Sequence, residues 1–321
     1  MERAVMMSIS QMVRPRPETG AAVVGVDGSA ESDRAVHWAA GDAGRHGRPL
    51  HLLHACDGPT LVFPLPGFWM PVVCAPRPAR HAERLLANAA TVAAKACPDL
   101  AVTSSTVGGR PIPTLLAMAG RAAMIVVGGR QAGGPGTLLA GSTAAEIAEH
   151  AACPVVVVHK RRGGTGANEG RVVVGVDGSA ASEAATAFAF EQAVTLRTGV
   201  TAVHAYQLPV DPMLGGRLPG YFDLGARCDA AQQLLSRVMA GWRRRYPETD
   251  VRLTVDLGAP AGALMRAGEG AELLVVGAHG RGAFRGLLLG STSRTMLYQA
   301  PCPLAVVHDR PRVPTIRPGP Q

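Results

Sequence analysis

The chain is poor in aromatic residues and in charge. Phe, Trp and Tyr make up 4% of its 321 residues, with three Trp and four Tyr, and Asp, Glu, Lys and Arg together make up 17%. Basic and aromatic residues do not interleave, which argues against a groove that stacks the bases of a single strand. The six cysteines (56, 74, 97, 153, 228 and 302) form no CxxC pair and stand in no zinc-like spacing with histidine. Such scatter fits a reducing compartment better than a disulfide or zinc scaffold. No apolar run reaches the roughly 18 residues of a membrane span, so no membrane insertion is expected. The opening MERAVMMSISQMVRP lacks a continuous apolar region and a cleavage motif, and a cytoplasmic protein is expected.

What is present suits folded domains. Hydrophobic residues account for 47% of the chain, enough for ordinary cores, and its length is comfortable for two domains. The net charge of +8 permits polyanionic partners without demanding them. The arginines are scattered, and the densest clusters, residues 160–162 and 243–245, read first as a linker and a solvated helix end. No specific nucleic-acid partner is expected.

The strongest organisational signal is internal duplication. AVVGVDGSA at 22–30 returns as VVVGVDGSA at 172–180, and AMIVVGG at 123–129 is answered by ELLVVGA at 272–278. LLAGSTAAEIAEHAACPVVVVH is answered by LLLGSTSRTMLYQAPCPLAVVH, and the offset is 150 early in the repeat and 149 late. That period is far too long for a solenoid, so it implies two tandem domains, at 20–160 and 171–310. The polar, glycine-rich segment 161–170 reads as the linker.

Each half alternates short Val/Leu/Ile-rich runs with longer alanine-rich stretches. Strands are expected near 21–26, 50–55, 101–107, 123–128 and 154–159, and again near 171–176, 200–205, 250–256, 272–277 and 303–308. These runs are continuous rather than alternating, which is the pattern of parallel strands covered on both faces by helices. The predicted fold class is therefore α/β, with two open parallel sheets. Ligands in such sheets bind beyond the carboxyl ends of the strands, where the strand order reverses. The proline- and aromatic-rich segments 57–76 and 207–222 break the rhythm and are too irregular for helix.

One glycine-punctuated stretch follows the fourth strand of each half. Residues 277–292 read GAHGRGAFRGLLLGST, and residues 128–143 read GGRQAGGPGTLLAGST. Neither is a Rossmann turn, which follows a first strand, nor a P-loop, which needs GxxxxGK[ST]. The second-half stretch has the form strand, G-x2-G, nine residues, then Gly-Ser at a helix start. Gly277 can turn the backbone off the strand, Gly280 can clear space for a phosphate, and Gly290 and Ser291 can offer free amides and a hydroxyl to an anion. Ser293 adds a second hydroxyl. Alone, this glycine spacing is equally compatible with a purely structural loop.

With the duplication, these residues resemble the universal stress protein family in its tandem-domain, ATP-binding form. That family's signature, G-x2-G-x9-G-(S/T), is met by residues 277–291, and the GVDGS strand ends and the CP before each last strand are also similar. The resemblance implies a Rossmann-like five-stranded sheet of order 3-2-1-4-5 in each domain, with ATP across the ends of strands one and four. In the second half it places Asp177, Ala205, Gly258, Val276 and Gly277 around the nucleoside, and Gly280, Gly290, Ser291 and Ser293 around the phosphates. Arg281 and Arg285 lie within the loop, where their charge suits phosphate or, equally, solvent. Mg²⁺ is expected only through the phosphates.

The first half keeps Asp27, Ala55, Gly109, Val127, Gly128, Gly141 and Ser142, but has Gln131 for the second motif glycine and Ala144 for the later serine. A weaker or empty first site is expected. Asp177 and Ser179 also suit a helix cap, and His279 shows no partnered carboxylate at a suitable spacing. The resemblance further implies association through the last-strand edges; the two halves could pair within one chain and the whole then form a homodimer, with an unidentified regulatory protein partner. A non-nucleotide interaction module and a slow ATP hydrolase stay open as alternatives.

Overall fold

A computed structural model of the chain describes residues 17–56, 60–65, 68–73, 79–129, 142–161, 166–207, 223–281 and 289–309. Gln131, Gly141, Arg285, part of the linker and most of the segment 207–222 lie outside the described residues.

The chain divides into two compact units whose border is not that of the sequence repeats. Among the described residues, one unit runs to Gly128 and includes Ala151–Cys153; the other holds Gly129–His150 and everything from Pro154 onward.

In the first unit, β1 (Ala22–Gly25), β2 (Leu50–Cys56), β5 (Val102–Gly108) and β6 (Met124–Gly128) form a parallel sheet in the order β5-β2-β1-β6. Its central strands are the apolar runs of the sequence, and Val23, Val24, Leu52, Ile125 and Val126 are fully buried. Helix α1 (Ala30–His46) starts because the Ser29 hydroxyl accepts from the Ser32 amide. It ends at Gly47, whose φ of +61° is natural to glycine. Its buried face is largely alanine, which lets it lie close on the sheet. Helices α2 (Ala79–Ala96) and α3 (Pro111–Ala119) follow. The irregular segment after β2 contains an antiparallel hairpin, β3 (Thr60–Leu65) with β4 (Phe68–Val73).

In the second unit, β8 (Val172–Gly175), β9 (Val200–Tyr206), β10 (Val251–Leu257), β11 (Leu273–Gly277) and β12 (Leu304–Val307) are parallel in the order β10-β9-β8-β11-β12. This is the expected 3-2-1-4-5. The helices are α5 (Ala180–Leu196), α6 (Leu224–Arg245), α7 (Pro260–Ala267) and α8 (Ser291–Gln299).

Two elements of the first repeat join this second unit: α4 (Ser142–His150) and β7 (Val155–Val158). Strand β7 pairs antiparallel with β12, so the sheet is mixed and the two last strands satisfy each other inside one chain. Arg294 bonds Glu149 at 2.8 Å, and the His308 Nε2 meets the Ala148 carbonyl at 2.8 Å. No helix among the described residues is long and apolar enough to cross a membrane.

Candidate functional site

The first strand of the second repeat, β8, runs through Val176 to Asp177 and turns at Gly178, whose φ is +77°. Ser179 then caps α5, its hydroxyl accepting from the Ser182 amide at 3.2 Å. Here the sequence V-D-G-S works as strand end, turn and helix start within four residues. Both Asp177 oxygens are used: Oδ1 accepts from the Ser179 amide at 2.9 Å, and Oδ2 accepts from the Arg281 amide at 3.0 Å. Burial alone would raise this carboxyl, but hydrogen bonds from Ser179, the Arg281 amide and Ser182 outweigh it and hold it below its ordinary range.

Beyond the carboxyl ends of β8, β9 and β11 lies a cavity of about 480 Å³, within the range of small-molecule sites. It opens where the strand order reverses on either side of β8, as this sheet type dictates. Its lining includes apolar residues, Val203, Ala205, Pro260, Leu264 and Val276, and polar ones, among them Asp177, Ser182, His279, Arg281, Ser291 and Thr292. Gly290 is the N-cap of α8, with φ −72°, and has no side chain to cap the first amides of α8, which lie beside the cavity.

Of the ten second-half residues expected at the site, nine line this cavity: Asp177, Ala205, Val276, Gly277, Gly280, Arg281, Gly290, Ser291 and Ser293. Gly258 does not. It and Gly109 have φ of +143° and +135°, so both serve the backbone of the turn after the third strand.

Several residues also have packing or bonding reasons that the sequence does not suggest. Gly277 is glycine because a Cβ there would lie 2.7 Å from the Ala181 carbonyl carbon, in the first turn of α5. Gly280 is glycine because a Cβ would collide with Asp177 Oδ2. Ser293 is 3% exposed, and its hydroxyl donates to the Gly277 carbonyl at 2.6 Å, so it braces the strand end with its only proton. Arg281 lays its guanidinium where a side chain at 178 would stand.

His279 does have a carboxylate neighbour, contrary to the sequence expectation. Its Nε2 lies 3.9 Å from Asp309 Oδ1, a pairing made by the fold rather than by spacing. The opposite nitrogen, Nδ1, is buried with no hydrogen-bond partner among the described residues. His204 is locally bonded, its Nδ1–H donating to the Val176 carbonyl at 2.6 Å. Sequence reasoning missed Ser182, whose signal is its position three after the cap Ser179, and Leu264, whose signal is its place on the buried face of α7.

In the first repeat, Asp27, Ala55, Gly109, Val127 and Gly128 sit in the first unit, and Ser142 opens α4 in the second. A Cβ on Gly128 would lie 2.5 Å from the Glu31 carbonyl carbon, repeating the close approach at Gly277.

Residues 20–159 and 169–308 both match the model of the universal stress protein family. The chain belongs to that family. Universal stress protein Rv2005c of Mycobacterium tuberculosis is 36% identical over 305 residues, covering 92% of this chain and 99% of the relative. A universal stress protein of Mycolicibacterium smegmatis is 36% identical over 301 residues, covering 93% and 100%. Among solved structures, a universal stress protein from Archaeoglobus fulgidus aligns over 91% of this chain and all of its own, with a TM-score of 0.64 at 17% identity. At that identity the likeness speaks for the fold.

Proposed function

We propose that this universal stress protein binds adenine nucleotide, ATP with Mg²⁺ on its phosphates, in the cavity of the second repeat. Occupancy biases its conformation or its association with a regulatory partner in the cytoplasm. The observation that supports this most is the convergence of nine motif residues, from Asp177 to Ser293, on one cavity. Its apolar residues suit a base, and Arg281 and the N-terminus of α8 suit phosphate. Among the described residues no group of three or more His, Cys, Asp or Glu could hold a metal ion, so Mg²⁺ would rest chiefly on the phosphates.

The domain limits proposed are 20–160 and 171–310, with 161–170 as linker. The first site is the weaker one, because Gln131 and Ala144 replace the motif glycine and the bracing serine. A homodimer would need surfaces other than β12, which has partners on both sides. A module whose glycine loops only shape the surface has one observation in its favour: Gly277 and Gly280 each have a packing reason without any ligand. That reading leaves the uncapped start of α8 at a cavity without a purpose.

Mass spectrometry of nucleotide released from the denatured, purified protein tests the proposal, together with titration by Mg-ATP. Adenine nucleotide in the sample, or saturable binding, is expected; neither one at millimolar ATP overturns it. Gly290→Ala sharpens the test. A Cβ there would stand 3.4 Å from its nearest neighbour, the His279 Cα, so the change of N-cap residue should cost no more than about 1 kcal/mol of stability while ATP affinity falls.

A further inference from the structure

We propose that Asp177 is a positioning residue, latching the start of the glycine loop onto the end of β8 through the Arg281 amide, and that Gly280 is glycine to admit this latch. The inference rests on the nucleotide reading of the cavity and deepens it, by naming what shapes the phosphate side. Three observations carry it. Asp177 Oδ2 accepts from the Arg281 amide at 3.0 Å, across 104 positions of sequence. A Cβ on Gly280 would collide with that same oxygen, so the glycine and the carboxylate occupy one another's space. The neighbouring Ser179 hydroxyl points to the His279 carbonyl at 3.5 Å, a second tie from the same turn to the same loop. With Oδ1 engaged by the Ser179 amide, the carboxylate is committed on both oxygens before any ligand arrives.

In the first repeat the Ser29 hydroxyl donates to Asp27 Oδ1 at 2.5 Å, and the same D-G-S sequence caps a helix there as in the second. The stretch that answers His279–Arg281 lies outside the described residues.

Latching matters because a loop that samples many conformations pays ordering entropy when it closes on a ligand, whereas a loop held in place has paid it on folding. Hydrogen bonds to a charged group are strong enough for the task.

The test uses the full-length chain with Asp177→Ala, Gly280→Ala and the double variant. Without ligand, amide exchange at residues 278–281 is expected to speed by roughly tenfold or more in Asp177→Ala, which removes both acceptor oxygens, with β11 and α8 unchanged. In ATP titrations each alanine variant is expected to weaken binding by roughly tenfold, and the double variant no further, because both release one latch. An Arg281 amide that exchanges in Asp177→Ala as it does in the parent overturns the latch. So do single effects that multiply in the double variant, which would mean that Gly280 and Asp177 act separately on the ligand. If no variant, nor the parent, binds ATP, the nucleotide reading falls while the exchange measurement still decides the latch.

Discussion

Each repeat ends its first strand with Asp-Gly-Ser, turns at a glycine of φ near +78° and caps a seventeen-residue helix with the serine, yet the two turns face different surroundings. The space beside Gly28 is filled by the Leu85 side chain; the space beside Gly178 is filled by the Arg281 guanidinium. One turn has been packed with hydrocarbon and the other with a cation. The same divergence appears one strand over, where buried His51 bonds Thr103 and Ser105, each at 2.8 Å, while its counterpart Thr201 joins a network with Arg171 and Asn168. Arg171 in turn reaches Asp250 and the Val200 carbonyl. Duplication has preserved the backbone's demands and left the side chains to diverge.

The comparison can be broken first at its most symmetric point. Gly277→Ala and Gly128→Ala each force a Cβ against the first turn of a helix, and each is expected to cost about 1–3 kcal/mol in chemical denaturation. Unequal costs would show that one helix can retreat and the other cannot.

A smaller effect separates the repeats by pH. Burial lowers the His51 pKa, so the neutral ring is favoured in the folded state. A lowered histidine pKa means that stability is full above the unfolded value, about 6.5, and is lost as pH falls from there toward the folded value. One such group limits the slope to about 1.4 kcal/mol per pH unit. Hydrogen exchange in β2 and β5 should therefore speed below that pH before exchange in β9 and β10, and His51→Asn should flatten the difference. Equal acid responses in the two sheets would count against this.

The smallest effect is at the helix ends. Gly47 closes α1 in the left-handed region, and Arg197 closes α5 there at φ +52°. Arg197→Gly should stabilise by about 0.5–1 kcal/mol, read as a raised melting temperature, because glycine takes that conformation without a Cβ penalty. Gly47→Arg should cost a similar amount.

Much of the fold was legible. Continuous apolar runs separated by alanine-rich stretches placed the strands, and the repeat itself placed them twice. The pairing of β7 with β12 was one of two options left by their apolar character; the choice depends on neither strand finding a better partner, which no local pattern encodes. The hairpin β3–β4 was legible only as a departure from helix. At the candidate site, the motif and the family resemblance together named nine of the eighteen described lining residues, but gave no sign of the close packing at Gly277 and Gly280 or of the Ser293 bond to the Gly277 carbonyl. They also missed Asp309 beside His279.

Sequence by itself determined that this protein is two copies of one α/β unit, and that the second copy carries the full glycine motif and the first does not. Those facts are local: periodicity, composition and spacing are properties of neighbours along the chain. Tertiary structure decided what each glycine is for. An absent side chain has meaning only through what moves into its place, and at Gly277 and Gly280 the occupants, Ala181 and Asp177, come from the other end of the repeat.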